Sequence, residues 1–250
     1  MSAIQIKHLR KIIMMKRWIA GFVLFMSVVS VSGVYSLNQQ SLGTLDQGLM
    51  AYWPFDEGEG DIIFDETGNG NDAVLYGPAW TEGKRGFALR FDGVDDNVMI
   101  PHSASLMPTD AITLAAWVKI EGPAEGHYGI IGKSGYRSGY RLLIHGTNKK
   151  VVFQLTGEKG YSVWSSTAVT DDQWHFIVAT YDGSKMKLYI DGVKDPSEKE
   201  RRGPLDVNTD SVMIGKPQYA FNGLIDEVRI YHRALSEEEI KGLFQMGRVQ

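Results

Sequence analysis

"AITLAAWVKI", residues 111–120, decides the structural class of this chain. Ile112, Leu114, Ala116, Val118 and Ile120 recur at every second position, with Trp117 and Lys119 between them. A period of two puts alternate side chains on opposite faces of an extended strand, so the stretch reads as a strand with one buried face. "SKMKLYIDG", residues 184–192, repeats the pattern: Met186, Leu188 and Ile190 point inward, and Lys185, Lys187 and Tyr189 outward. Asp191-Gly192 behind it is a pair suited to a two-residue hairpin turn.

Segments of similar length lie on either side. They are "GFALRFDG" (86–93), "DNVMIP" (96–101), "YRLLIHG" (140–146), "KVVFQLTG" (150–157), "QWHFIVATYDG" (173–183), "SVMIG" (211–215) and "LIDEVRIY" (224–231). Most are bounded by Gly, Asp-Gly or Pro turn signals. Many short strands and 28 glycines predict an all-β, two-sheet antiparallel sandwich. One helix is expected, at the end. Ser236 caps it, Glu239 completes a capping box, Ile240, Leu243 and Phe244 form its apolar stripe, and Gly247 ends it. The helix is expected to close one edge or end of the sandwich.

The 250 residues, 43% of them hydrophobic, can bury one sizeable core. With no cysteine, disulfides, a thiol nucleophile and thiolate zinc sites are excluded. Residues 1–36 differ from the rest: Lys7, Arg10, Lys11, Lys16 and Arg17 precede an uncharged run from Trp18 to Tyr35 that ends in small residues. Such a stretch is a secretory signal peptide, or an uncleaved membrane anchor, and either places the rest of the chain outside the cytoplasm. A polar linker, 37–47, leads into a domain over 48–250. Without residues 1–36 the chain keeps 21 of its 26 basic residues and all 30 acidic ones. An acidic domain with no basic stripe is a poor partner for nucleic acid.

Catalytic signatures are lacking. Asp226 and Glu227 are adjacent in "GLIDEVRIYHRALS" (223–236), and strand geometry points neighbours apart. A retaining glycosidase needs two carboxyl groups about 5 Å apart on one side of a groove. "GKSGYRSG" is no nucleophile elbow, and the six histidines have no metal-ligand spacing. "DETGNG" from Asp65 opens like an EF-hand loop, but Tyr76 stands at its twelfth position in place of Glu.

Five blocks in order, "LMAYWPFDEGEGDIIFDETGNGNDAVLYG", "GFALRFDGVDDNVMIP", "ITLAAWVKI", "QWHFIVATYDGSKMKLYIDGV" and "GLIDEVRIYHRALSEEEI", resemble the laminin G-like, concanavalin A-like lectin/glucanase jelly-roll domain. The resemblance covers about residues 48–244. It implies that the first and last strands are antiparallel neighbours, bringing Asp56 and Glu57 towards Asp226. It also implies a calcium ion held at the rim, with Asp226 and Asp96 as the first ligands and Asp92 and Asp65 next. The same Asp residues have a plain alternative use, capping turns through side-chain to backbone bonds. Glu227 is expected to pair with Arg229 or Arg233 at the surface.

Binding residues are sought where aromatics interleave with Gly and Arg. Tyr128, Tyr136, Arg137 and Tyr140 lie in the Gly-rich run 122–141, and Trp164 in "GYSVWSS". Aromatic faces stack on sugar rings and Arg donates to hydroxyl or carboxylate oxygens; the competing use is packing over the sheet. Trp53 and Trp174 are assigned to the core. The expected function is an exported, non-catalytic module that binds carbohydrate or a cell-surface glycoconjugate and carries structural calcium. The alternatives are an adhesion or structural module that binds protein and, third, a glycosidase-related enzyme.

Overall fold

A computed structural model of the protein describes residues 45–248, apart from 123–125, 135–137, 157–159, 170–171 and 207. The leader and most of the linker lie outside the described residues. Strands are numbered in chain order. One sheet runs β14 (Val193–Glu200), β13 (Lys185–Ile190), β12 (Trp174–Tyr181), β7 (Ile112–Ile120), β16 (Asn222–Tyr231), β5 (Phe87–Asp92) and β4 (Ala79–Glu82), with β1 (Leu49–Trp53) also paired to β16. The second runs β11 (Tyr161–Ala168), β10 (Lys150–Thr156), β9 (Gly139–His145), β8 (His127–Ser134), β15 (Val212–Ile214), β6 (Asn97–Ile100), β3 (Ala73–Tyr76) and β2 (Ile62–Ile63). The two sheets make the expected antiparallel sandwich, and β1 does lie beside β16, with Tyr52 opposite Arg229.

The inward sets of the two sheets form one core. Ile112, Leu114, Ala116, Val118 and Ile120 of β7 are all in it, as are Trp53, Met186 and Leu188. Each large apolar side chain buried there contributes about 1.5–3 kcal/mol. The β13–β14 hairpin turns at Asp191 (φ 53°) and Gly192 (φ 77°), the two left-handed residues that such a two-residue turn requires.

The outward face of β7 departs from the expectation of a half-exposed strand. Helix α1 (Glu237–Met246) lies across the middle of the first sheet rather than along an edge, and a second apolar cluster forms beneath it. Trp117 is 3% exposed there, stacked on Phe244 at 5.5 Å and close to Phe176 at 5.3 Å. Tyr189, expected outside, is buried in the same layer. The helix start is as read: the Ser236 hydroxyl accepts from the Glu239 N–H, and the Glu239 carboxylate accepts from the Ser236 N–H.

β8, β11 and β14 did not stand out as strands in the sequence. "HYGIIGKS" looks like loop because of its glycines, and "VKDPSEKE" carries almost no apolar alternation. β14 pairs with β13 alone, the edge position in which Pro196 is tolerated.

Candidate functional site

β16 is long enough to change partners. Asn222–Ile225 pair with β5 and Val228–Tyr231 with β1, and the ladder to β7 slips between Asp226 and Arg229. Asp226 and Glu227 occupy that handover, with Glu227 at φ 55°. The strand therefore does not send one of the two to solvent; both are buried. Asp226 Oδ2 accepts from the N–H groups of Lys84 (2.9 Å) and Arg85 (3.0 Å), in the turn between β4 and β5. Its Oδ1 is buried without a hydrogen-bond partner. Burial, with the charges of Glu227 and Asp56 adding to it, pushes this carboxyl up to about 8.

Glu227 does pair with Arg229, at 2.7 Å, but inside the protein rather than at the surface. The Tyr52 hydroxyl donates to the same carboxylate at 2.9 Å, and the Arg229 guanidinium lies 3.8 Å from the centre of the Tyr52 ring. Burial opposes the charge on Arg229, and Tyr52 and Glu227 more than offset it, so its pKa is raised. A cavity of about 290 Å³ beside this cluster is lined chiefly by Leu49, Tyr52, Tyr231, Leu243 and Met246, with Arg229 already paired in its wall.

The four aspartates named as calcium ligands are not gathered into one set. Asp65 organises its own loop: Oδ1 accepts from the N–H of Tyr52 and from the N–H and hydroxyl of Thr67, and Oδ2 from the backbone and side-chain amides of Asn71. Asp226 holds the β4–β5 turn. Asp92 and Asp96 do come together, joined by Asp95, with one carboxylate oxygen of each lying within 4.8 Å of the others. Asp92 and Asp95 are exposed and Asp96 is nearly buried. Asp96 Oδ2 accepts from the Asp92 N–H at 2.8 Å. Its Oδ1 sits 2.0 Å from where a Cβ on Gly77 would stand, so a glycine makes room for it. Burial, and then the neighbouring charges of Asp92 and Asp95, raise the Asp96 pKa.

Of the aromatic residues expected to bind ligand, Tyr128 and Tyr140 are core residues. On β8 and β9 they fall on the inward set and are 0% and 3% exposed. The Tyr128 hydroxyl donates to the Gly122 carbonyl, and burial alone drives the Tyr140 hydroxyl well above its ordinary pKa. Tyr136 and Arg137 lie outside the described residues. Trp164 is at the surface, 40% exposed.

Trp164 belongs to a row of rings that no local sequence pattern assembles. Its ring centre is 5.2 Å from His145, His145 is 4.7 Å from His127, and His127 is 4.5 Å from Tyr219. These residues come from β11, β9, β8 and the loop after β15. Arg141, four residues before His145 and so on the same outward face of β9, donates to Gln218 of that loop. Two glycines of β8 allow the loop to lie down. A Cβ on Gly129 would stand 2.3 Å from the Tyr219 carbonyl oxygen, and one on Gly132 would stand 2.8 Å from Arg141 Cγ. The signal was in the sequence, as Gly129, Gly132 and Arg141 inside strands, but nothing local tells that residues 215–220 cover them.

A family profile described as the concanavalin A-like lectin/glucanases superfamily (Laminin_G_3) matches residues 92–241. Mouse (Mus musculus) pappalysin-1 is 29% identical over 174 residues, which are 61% of this chain and 11% of pappalysin-1. The human (Homo sapiens) adhesion G-protein coupled receptor D1 is 24% identical over 250 residues, 94% of this chain and 28% of the receptor. The chain thus spans a small part of these curated relatives. Among solved structures, domain 4 of AbnA, a GH43 extracellular arabinanase from Geobacillus stearothermophilus in complex with arabinotriose, superposes with a TM-score of 0.68 at 23% identity, covering 79% of this chain and 98% of that one. The binding domain of botulinum neurotoxin DC, in complex with rat synaptotagmin II, gives 0.62 at 15% identity, covering 82% of this chain and 52% of that one.

Proposed function

Because the chain belongs to the concanavalin A-like lectin/glucanases superfamily, we propose that it is an exported module that binds carbohydrate on the outer face of β8–β11 and carries out no chemistry on it. The observation that carries this reading is the row Trp164, His145, His127 and Tyr219, beside which Arg141 offers hydrogen-bond donors. Aromatic faces stack on the apolar side of a sugar ring, and polar groups at their margin fix its hydroxyls. The binding of arabinotriose by the arabinanase domain supports the sugar reading; the binding of synaptotagmin by the toxin domain keeps a protein partner as the rival. The buried carboxyls Asp226 and Glu227 serve backbone and Arg229, and so do not supply a general acid and nucleophile to a groove.

A calcium ion at Asp92, Asp95 and Asp96 is part of the proposal. Hard carboxylate oxygens on a turn suit that ion, and a cation there would relieve the burial and repulsion that raise Asp96. Asp65 and Asp226 are left out of the ligand set.

The test is a glycan array probed with the wild type and with Trp164→Ala, each with calcium and with chelator. Binding to a group of related glycans, lost in Trp164→Ala, is expected, together with a thermal midpoint that rises with calcium. Absence of binding to every glycan, with capture of a protein partner in pull-down, overturns the sugar reading. An unchanged midpoint removes the ion.

A further inference from the structure

Charge is unevenly divided in this molecule. The chain holds 26 Lys and Arg against 30 Asp and Glu, yet residues 126–169, which carry β8 to β11, hold six Lys and Arg against Glu158 alone. None of the four strands contains an acidic residue, and neither does the loop 215–220 that lies on them. By strand alternation Arg141 and Lys150 stand on the outer face of β8–β11, to which these strands bring no acidic side chain.

Arg141 is the cation inside that face. It is half-buried, and burial lowers its pKa, with only Tyr219 acting electrostatically in the other direction. Among the described residues its guanidinium donates to the neutral side chain of Gln218, and its Nε is buried with no partner. Among the described residues it forms no ion pair. A lysine or histidine so placed could release its proton, whereas a guanidinium keeps its charge at any working pH. A partly desolvated guanidinium bonded to a neutral amide gains from an anionic acceptor, and a planar pair of anionic oxygens fits the Nη groups of its fork.

We propose that the ligand of this face is an acidic sugar, whose carboxylate or sulfate oxygens are taken by Arg141 while its ring packs against the neighbouring aromatic row. The inference rests on the carbohydrate reading above and deepens it. An acidic peptide shares the anionic oxygens, but it offers no flat ring face to Trp164, His145, His127 and Tyr219, so the observations favour the sugar. Lys150, one residue beyond the pairing of β9 with β10, adds a second basic side chain.

The experiment uses an array bearing uronate, sialate, sulfated and neutral glycans, with immobilised polyglutamate alongside. It is probed with the full chain, with Arg141→Ala and with Arg141→Lys, whose folding is checked by thermal melting. At least a tenfold preference for one acidic class over its neutral counterpart is expected, weakening as salt is raised. Arg141→Ala should abolish that preference. Arg141→Lys, which keeps the charge and loses the fork, should retain only part of it. Whether carboxylated or sulfated glycans lead tells which anion is recognised. Equal binding of neutral glycans, or a preference unchanged in Arg141→Ala, overturns this inference and leaves the carbohydrate reading standing. Binding to polyglutamate with no glycan bound overturns both.

Discussion

Two groups of charged residues sit in half-buried or buried surroundings, one at the β16 handover and one on the outer face of β8–β11, and they are handled in opposite ways. At the handover the charges of Glu227 and Arg229 are answered from within, and Asp226, whose Oδ1 also lacks a partner, keeps its proton instead of a charge. Glu227 faces Arg229, Tyr52 and, at 3.6 Å, Arg85; Asp226 takes two backbone N–H groups and holds its proton up to about 8. On the sheet face, Arg141 has a neutral amide and an idle Nε. The lesson is about purpose. Where a fold answers its own charges they serve the fold, whereas a half-buried guanidinium bonded to a neutral amide still has donors to offer.

That contrast can be broken by mutation. The largest effect is expected for Glu227→Gln, which leaves Arg229 buried without its carboxylate. Removing one member of a buried pair costs about 3–5 kcal/mol, and urea unfolding should show a loss in that range. A loss below about 1 kcal/mol would mean that the pair is not what holds the handover.

Asp226→Asn should act through pH. The folded pKa, about 8, is raised above the ordinary 3.8. Below 3.8 both folded and unfolded chains hold the proton and nothing is lost. As pH climbs from there to about 8, the unfolded chain releases its proton while the folded one keeps it, so stability falls; above about 8 the penalty levels off. Asn keeps an acceptor for the Lys84 and Arg85 N–H groups and does not titrate. Relative to wild type, Asp226→Asn should therefore gain stability between about pH 4 and about pH 8, by about 2 kcal/mol or more, read from unfolding curves at successive pH. Parallel pH profiles for the two proteins would refute the assignment.

The smallest effect should come from the sheet face. Arg141→Ala removes a half-buried charge that supports no ion pair among the described residues, so stability should change by no more than about 0.5 kcal/mol, in either direction. A loss above about 1 kcal/mol would move Arg141 into the same class as Arg229 and undo the comparison.

How far the sequence carried the reading differs by region. Period-two alternation marks β7 and β13, and Ser236 with Glu239 marks the start of α1, because those signals lie within a few residues of each other. Strands without that alternation go unread: β8 is diluted by glycine and β14 by charge, and β2, β3 and β4 are only two to four residues long. Trp117 and Tyr189 were placed outside because alternation gives two faces to a strand, and it cannot say that a helix far along the chain will cover the second one. Composition makes Tyr128 and Tyr140 candidates for ligand contact, whereas their parity along β8 and β9 puts them in the core.

By itself the sequence determined the class of fold, the inward sets of β7 and β13, the hairpin at Asp191-Gly192, the capped helix and the absence of catalytic spacing. These follow from local sterics, hydrogen-bonding chemistry and periodicity. Only the tertiary structure decided which partners long-range pairing would supply. It put Asp226 and Glu227 in the gap where β16 leaves β5 for β1, gathered Asp92, Asp95 and Asp96 without Asp65, and laid the loop 215–220 on two glycines of β8 so that four rings and Arg141 share one face. A residue's chemistry is written in its side chain, but whether that chemistry is spent within the fold or left available depends on neighbours brought from far along the chain.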